Sequence, residues 1–316
     1  MPSSPPTRSN LQTLLLTGLA LIAFAANSVL CRLALSSEQG AADIDAASFT
    51  LIRLCSGALT LMLLLQLRQQ RRNQTRATPQ QSKTQHGSWR AALYLFGYAV
   101  AFSYAYNSLD TGTGALILFG AVQLTIITLT LIAGTRPHSS EWLGLGLAFA
   151  GFVYLVLPNL STPSLLGFVL MTLAGIAWGG YTLKGKGSRD PLADTAFNFS
   201  RTLPLALVLL LVSLLQGQLT ATGVILAIAS GALASGIGYS IWYRALAGLS
   251  ATQAAVVQLL VPIIAAAGGV VFVDEPLSMR LLIASLMILG GIGLTVLGRF
   301  IQNRRATQPT RNANRG

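Results

Sequence analysis

The sequence predicts an all-α membrane protein: ten transmembrane helices arranged as a 5+5 inverted repeat. Three observations carry that expectation. Of 316 residues, 53% are hydrophobic and 9% charged, with a mean hydropathy of +0.62, whereas soluble domains carry about 25% charged residues. The apolar residues fall in runs long enough to cross a bilayer. One signature also occurs twice, as Phe49-Thr50-Leu51-Ile52-Arg53 and as Phe197-Asn198-Phe199-Ser200-Arg201, each opening an apolar helix.

A spanning helix needs about 20 mostly apolar residues. In chain order the spans read 11–34, 46–67, 90–108, 113–133 and 141–157, then 164–183, 194–215, 222–245, 251–273 and 279–299. No small-residue cleavage site follows the first run, so it is expected to be retained. Between the second and third spans, residues 68–88 are rich in Gln, Thr and Arg without apolar periodicity, which predicts a flexible cytoplasmic loop. Residues 302–316 read as a disordered cytoplasmic tail for the same reason. The eighth span carries Gly231, Gly236 and Gly238. The ninth carries Pro262, Gly268 and Gly269, where a missing N–H and small side chains predict a kink suited to gating.

The formal net charge is +12, but the bases lie between apolar runs. A nucleic-acid binder would spread them over one folded face, so no nucleic-acid partner is expected. Arg68, Arg71, Arg72, Arg90, Arg136, Lys184, Arg189, Arg244 and Arg304 fall on one side of the ten-span arrangement. Glu38, Asp43, Asp45, Asp110, Asp274 and Glu275 fall on the other, with Arg280 as its only clear base. The positive-inside rule then puts both termini in the cytoplasm. Five spans is an odd number, so the second half (164–300) enters the membrane upside down relative to the first (11–157). Cys31 and Cys55 sit inside spans and read as small buried residues, not a disulfide or metal pair.

With Gln258-Leu259-Leu260-Val261-Pro262, Asp274-Glu275-Pro276 and Gly290-Gly291 in the second half, plus the paired F-x-x-x-R signature, the chain resembles an EamA-type transporter of the drug/metabolite transporter superfamily. The resemblance implies a bacterial inner-membrane carrier of ten helices that exports amino acids or similar small metabolites. The first half departs from the pattern: Thr125 stands where Pro262 has its counterpart, and Thr135-Arg136 replaces the acidic residue before the fifth span.

Inverted repeats place a central site near the midplane, between the halves. Candidate substrate-binding residues are the amide and aromatic groups within apolar spans: Asn27, Tyr98, Gln123, Trp178, Tyr181, Tyr239 and Gln258, with Ser28 beside them. A flat ring with one polar tip suits an amphipathic solute, but it equally suits interfacial belts and helix packing. Arg53 and Arg201 each cost about 2.5–3.5 kcal/mol at the bilayer centre. They read either as ties for helix ends or as the anchor of an anionic substrate. No Asp or Glu lies deep in a span, and His86 and His138 lie in loops. That pattern argues against lipophilic cations as cargo. With no H-E-x-x-H or G-x-S-x-G motif, it argues against an enzyme as well. Neither cofactor nor metal is expected. The expected partners are the lipid bilayer and a small-molecule substrate, the chain acting as a monomer or weak homodimer. An organic-anion or phosphorylated-metabolite carrier is the alternative reading.

Overall fold

The structure, a computed structural model, describes residues 10–36, 42–75, 86–132, 134, 139–156, 163–185, 188–216, 219–246, 248–249 and 251–306. Among them the chain is helical apart from short connections and a single bridge between Ile44 and Leu219. The first half comprises α1 (Asn10–Leu35), α2 (Ala46–Thr75), α3 (Trp89–Ala105), α4 (Thr111–Ile132) and α5 (Ser139–Val156). The second comprises α6 (Leu165–Gly185), α7 (Pro191–Gln216), α8 (Ala221–Ile228), a π-helical segment (Ala229–Ile237), α9 (Gly238–Leu246), α10 (Ala251–Gln258), α11 (Val261–Phe272) and α12 (Met279–Ala306). Among the described residues seven helical stretches are long and apolar enough to cross a membrane, and Trp142–Leu155 and Val256–Phe272 are shorter apolar helices.

Hydrocarbon offers no water to backbone groups, so helix starts must be satisfied by the protein itself. The chain places a short polar side chain before one helix after another. Asp45 accepts from Ser48 N at 2.9 Å, Ser88 from Ala91 N at 3.1 Å, and Asp190 from Ala193 N at 3.2 Å. Thr220 accepts from Gly223 N and Ser278 from Leu281 N, both at 3.1 Å. Helix α4 has a remote cap instead: Thr111 N donates to the Glu275 carboxylate, at 2.8 and 3.0 Å to its two oxygens. Asp274, at φ 53°, turns the chain so that Glu275 faces back toward α4. A short polar side chain tolerates that left-handed conformation.

Two expectations change at the polar ends. Residues 68–75 of the expected loop continue α2 as helix, because Gln and Arg are good helix formers and Arg68 is held by Asp190. Residues 76–85 lie outside the described residues. In the tail, 302–306 continue α12, and 307–316 lie outside the described residues. The ninth expected span is interrupted: Leu259 and Leu260 form a turn between α10 and α11. Pro262 lies in the first turn of α11, where its missing N–H ends the preceding ladder.

Helices at matching positions of the two halves lie side by side. Arg68, near the end of α2, meets Asp190 at the start of α7. Ser48, near the start of α2, meets Ser213 near the end of α7, hydroxyl to hydroxyl at 2.5 Å. The two helices are therefore antiparallel. Helices α5 and α12 form another such pair. A Cβ on Gly144 would meet Thr295, whereas one on Gly151 would meet Ile288 at 2.8 Å, so the register again runs in opposite directions. Outward-facing Leu14, Leu59, Leu63, Leu211, Leu215 and Leu286 leave an apolar exterior, as a helical bundle in lipid requires.

Candidate functional site

Near the middle of the bundle lies a cavity lined by Phe24, Asn27 and Ser28 from α1, Tyr98 and Phe102 from α3, Leu118 and Phe119 from α4, Trp178 from α6 and Tyr239 from α9. Its non-atom space, open side included, is about 350 Å³. Both halves contribute to its wall. The aromatic groups brace one another: Trp178 lies 4.7 Å from Tyr98 and 5.4 Å from Tyr239 between ring centroids, and Phe24 packs edge-on against Tyr239 at 5.7 Å. Asn27 is fixed by Ser230 and Ser235 of the π segment, whose hydroxyls donate to its Oδ1 at 2.8 and 3.3 Å. Among the described residues no charged side chain lines it.

Behind that wall lies Arg53, with a relative exposure of 2%. Its Nη2 donates to the Tyr98 hydroxyl at 2.9 Å. The guanidinium carbon lies 5.3 Å from the centre of the Tyr98 ring and 4.8 Å from that of Phe102. Such cation–π contacts are worth about 2 kcal/mol when desolvated, and they recover part of the cost of burying the charge. Nη1 is buried and has no hydrogen-bond partner.

Polar ties flank the cavity at each end of the bundle. At one end Arg32 Nε donates to Glu275 at 3.0 Å and Nη1 to the Tyr106 carbonyl at 3.1 Å, with Asp110 3.6 Å away. At the other end Arg68 forms a two-pronged pair with Asp190, through Nη1–Oδ1 at 2.9 Å and Nη2–Oδ2. Burial pushes the Asp190 carboxyl up, but the Arg68 hydrogen bonds, the Ala193 N–H and the Arg68 charge outweigh it and hold the group below its ordinary value. Asp194 accepts from Gly87 N at 2.9 Å and from Ser188, and lies 3.3 Å from His86 Nδ1. Asn198 accepts from Ser88 N at 2.8 Å.

Five expected residues therefore meet at one cavity: Asn27, Ser28, Tyr98, Trp178 and Tyr239. Tyr181 stands one layer out, its ring 5.3 Å from Trp178 and its hydroxyl 3.5 Å from Thr195 Oγ1. Gln123 is buried on α4 but is not among the lining residues. Gln258 folds back on its own helix, donating to the Ala254 carbonyl at 3.1 Å. The two arginines part company: Arg201 donates to the His86 carbonyl at 2.8 Å and lies over Phe197, tying α7 to the start of α3. Pro262 is buried at the α10–α11 break. Gly268 faces Val29, and Gly269 lies against Thr111 and Glu275. The lining also includes Phe24, Phe102, Leu118 and Phe119, which have no sequence signature inside apolar spans. Among the described residues no cluster of His, Cys, Asp or Glu has the makings of a metal site, and both cysteines are free.

The model of the EamA-like transporter family matches residues 11–157 and again 165–297. An uncharacterized protein of Pseudomonas aeruginosa is 51% identical, over 91% of this chain and 96% of its own. A probable amino-acid metabolite efflux pump of Escherichia coli is 23% identical, over 65% of this chain and 76% of its own. The uncharacterized transporter YwfM of Bacillus subtilis is 29% identical, over 60% and 65%. One solved crystal structure aligns with a TM-score of 0.57 at 17% identity, over 92% of this chain and 98% of that one, a likeness of fold alone. Two consecutive family matches over an apolar helical bundle place this multi-pass membrane protein in the EamA-like transporter family.

Proposed function

We propose that the protein is a bacterial inner-membrane carrier that exports amino acids or similar small amphipathic metabolites by alternating access. The observation that carries the reading is the central cavity. It is built by both halves and walled with aromatic rings, it offers Asn27 and Ser28 as polar contacts, and among the described residues no charged side chain lines it. Few polar groups in a mostly apolar concavity suit a small solute with one polar end. The name of the Escherichia coli relative, a probable amino-acid metabolite efflux pump, agrees in substrate class.

The 5+5 inverted arrangement belongs to the same proposal. Seven long apolar spans and two shorter apolar stretches support a count of ten once α3, of 17 residues, is taken as a further crossing. The antiparallel contacts of α2 with α7 and of α5 with α12 are what inversion produces. Arg68, Arg90, Lys184, Arg189 and Arg244 then mark the cytoplasmic end, and Asp43, Asp110 and Glu275 the outer one. Alternating access opens one polar tie while keeping the other: Arg32–Glu275 outside, Arg68–Asp190 inside.

Purified protein in proteoliposomes, loaded with unlabelled amino acids and assayed for counterflow of a labelled amino-acid mixture, tests the reading. Exchange above empty vesicles is the expected result, and no movement of any amino acid would overturn it. Repetition with an imposed pH gradient separates a facilitator from a proton-coupled pump.

A further inference from the structure

We infer that Arg53 is the anchor for a substrate carboxylate, reached from the cavity when the Tyr98 ring swings aside. The inference rests on the carrier reading and narrows its substrate to monoanionic or zwitterionic carboxylates with an apolar body.

The guanidinium is an incomplete structural element. A buried arginine that merely braces a helix normally spends its donors on carbonyls or carboxylates. Arg201 does this, donating to the His86 carbonyl. Arg32 does so with Glu275, Tyr106 and Asp110, and Arg68 pairs through two nitrogens with Asp190, although its Nε is also buried without a hydrogen-bond partner. For Arg53 the described residues record no ion pair. Its Nη2 has only a neutral phenol hydroxyl, at 2.9 Å, and its Nη1 has nothing. A charge left this way in a low-dielectric core costs free energy unless an anion completes it.

The placement of that deficit is specific. Arg53 touches the cavity through its two ring partners, Tyr98 and Phe102, both of which line it. The Tyr98 hydroxyl occupies the position of one anionic oxygen. Rotation of that side chain would present Nη1 and Nη2 together as a fork, the geometry that accepts the two oxygens of a carboxylate. One unpaired guanidinium matches one negative charge. A phosphate dianion would require a second cation, and among the described residues no charged side chain lines the cavity itself. With the carboxylate at Arg53, the substrate body lies among Phe24, Trp178 and Tyr239, whose faces also accommodate an α-ammonium group. A cation lacking a carboxylate meets the uncompensated positive charge and is rejected.

Three probes that share a phenylethyl body test this in detergent-solubilised protein, read by ligand-induced shifts of the thermal midpoint: phenylpropionate, phenylalanine and phenethylamine. The first two are expected to stabilise the protein, and phenethylamine not to. Arg53→Gln is expected to weaken both carboxylate probes by about tenfold to a hundredfold, the scale of a lost charge-assisted hydrogen bond. Tyr98→Phe, which frees Nη2, is expected to keep or tighten carboxylate binding. Equal stabilisation by phenethylamine and phenylpropionate in the unaltered protein would overturn the inference without any variant, even if Arg53→Gln failed to fold. So would loss of carboxylate binding in Tyr98→Phe. Counterflow separates the two claims. Amino acids moving while phenethylamine competes as well as phenylpropionate would remove the anchor and spare the carrier. Silent counterflow alongside Arg53-dependent phenylpropionate binding would do the reverse.

Discussion

Glu275 shows how much one side chain carries when its donors come from distant segments. Its carboxylate caps α4 through Thr111 N and holds Arg32 of α1, while its own N–H donates to the Gly269 carbonyl at 3.2 Å. Glu275→Gln keeps the size but removes the charge, and an amide nitrogen then points at one of these donors. The expected cost is about 1–3 kcal/mol, visible as a lower thermal midpoint in detergent. Residue-level roles were unevenly legible in the sequence. Polar residues in apolar spans stand out, which singles out Asn27, Tyr98, Trp178 and Tyr239, and these four line the cavity. Gln123 and Gln258 stand out equally, yet they are absent from the lining, because helix phase against the neighbours decides which side faces inward. Phe24 and Phe102 had no contrast with their surroundings. Arg53 and Arg201 occupy matching frames, and their separation into a core cation and a loop tie depends on tertiary partners far away in the chain.

At the scale of elements, the contact between α5 and α12 is set by glycines whose neighbours differ. A Cβ on Gly291 would lie 2.6 Å from Ala148 N and closer still to the Gly144 carbonyl, whereas one on Gly290 would meet nothing within 4 Å. Small residues allow such backbone approach in lipid. Gly291→Ala is expected to destabilise by about 1–3 kcal/mol through overpacking. Gly290→Ala, next to it, is expected to be neutral or to stabilise by up to about 1 kcal/mol from helix propensity. Thermal midpoints of the two variants check this, and equal shifts would mean that the helices adjust their spacing freely. Each expected span contains a described helix, because lipid forces backbone bonds inside the segment and hydropathy then reports helices directly. The break at Leu259–Leu260 was legible from Pro262. The extension of α2 to Thr75 was not, since a polar helix tied down by one distant aspartate has no apolar period to read.

For the whole molecule, acid acts on the bundle through the tie between Arg68 and Asp190. The Asp190 carboxyl is held below its ordinary value of 3.8 when folded. Its pairing with Arg68 therefore stabilises the folded state fully above that ordinary value, and the contribution is lost as pH falls through the lower, folded one. Asp190→Asn is expected to lower the thermal midpoint at pH 7, and the gap to the unaltered protein is expected to close only below about pH 4. A gap that closed between pH 5 and pH 7 would point to a different titrating group. Opposite running directions of matched helices agree with the inversion expected from counting spans, but that matched helices pack side by side was not legible. Nor was the aromatic closure of the cavity, because it depends on four helices agreeing in rotation.

The π segment at 229–237 bears on what the chain tolerates over generations. An α-helix takes up a surplus residue by widening a turn to i→i+5 bonding. Elsewhere in such a rod, losing one residue would turn everything beyond it by about 100° and carry Tyr239 and Trp242 off their faces. Within Ala229–Ile237 the surplus is already stored. A one-residue deletion there can be absorbed by tightening the helix, with both ends left facing as they do now. This stretch is where a change of one residue in length can leave the cavity wall in place.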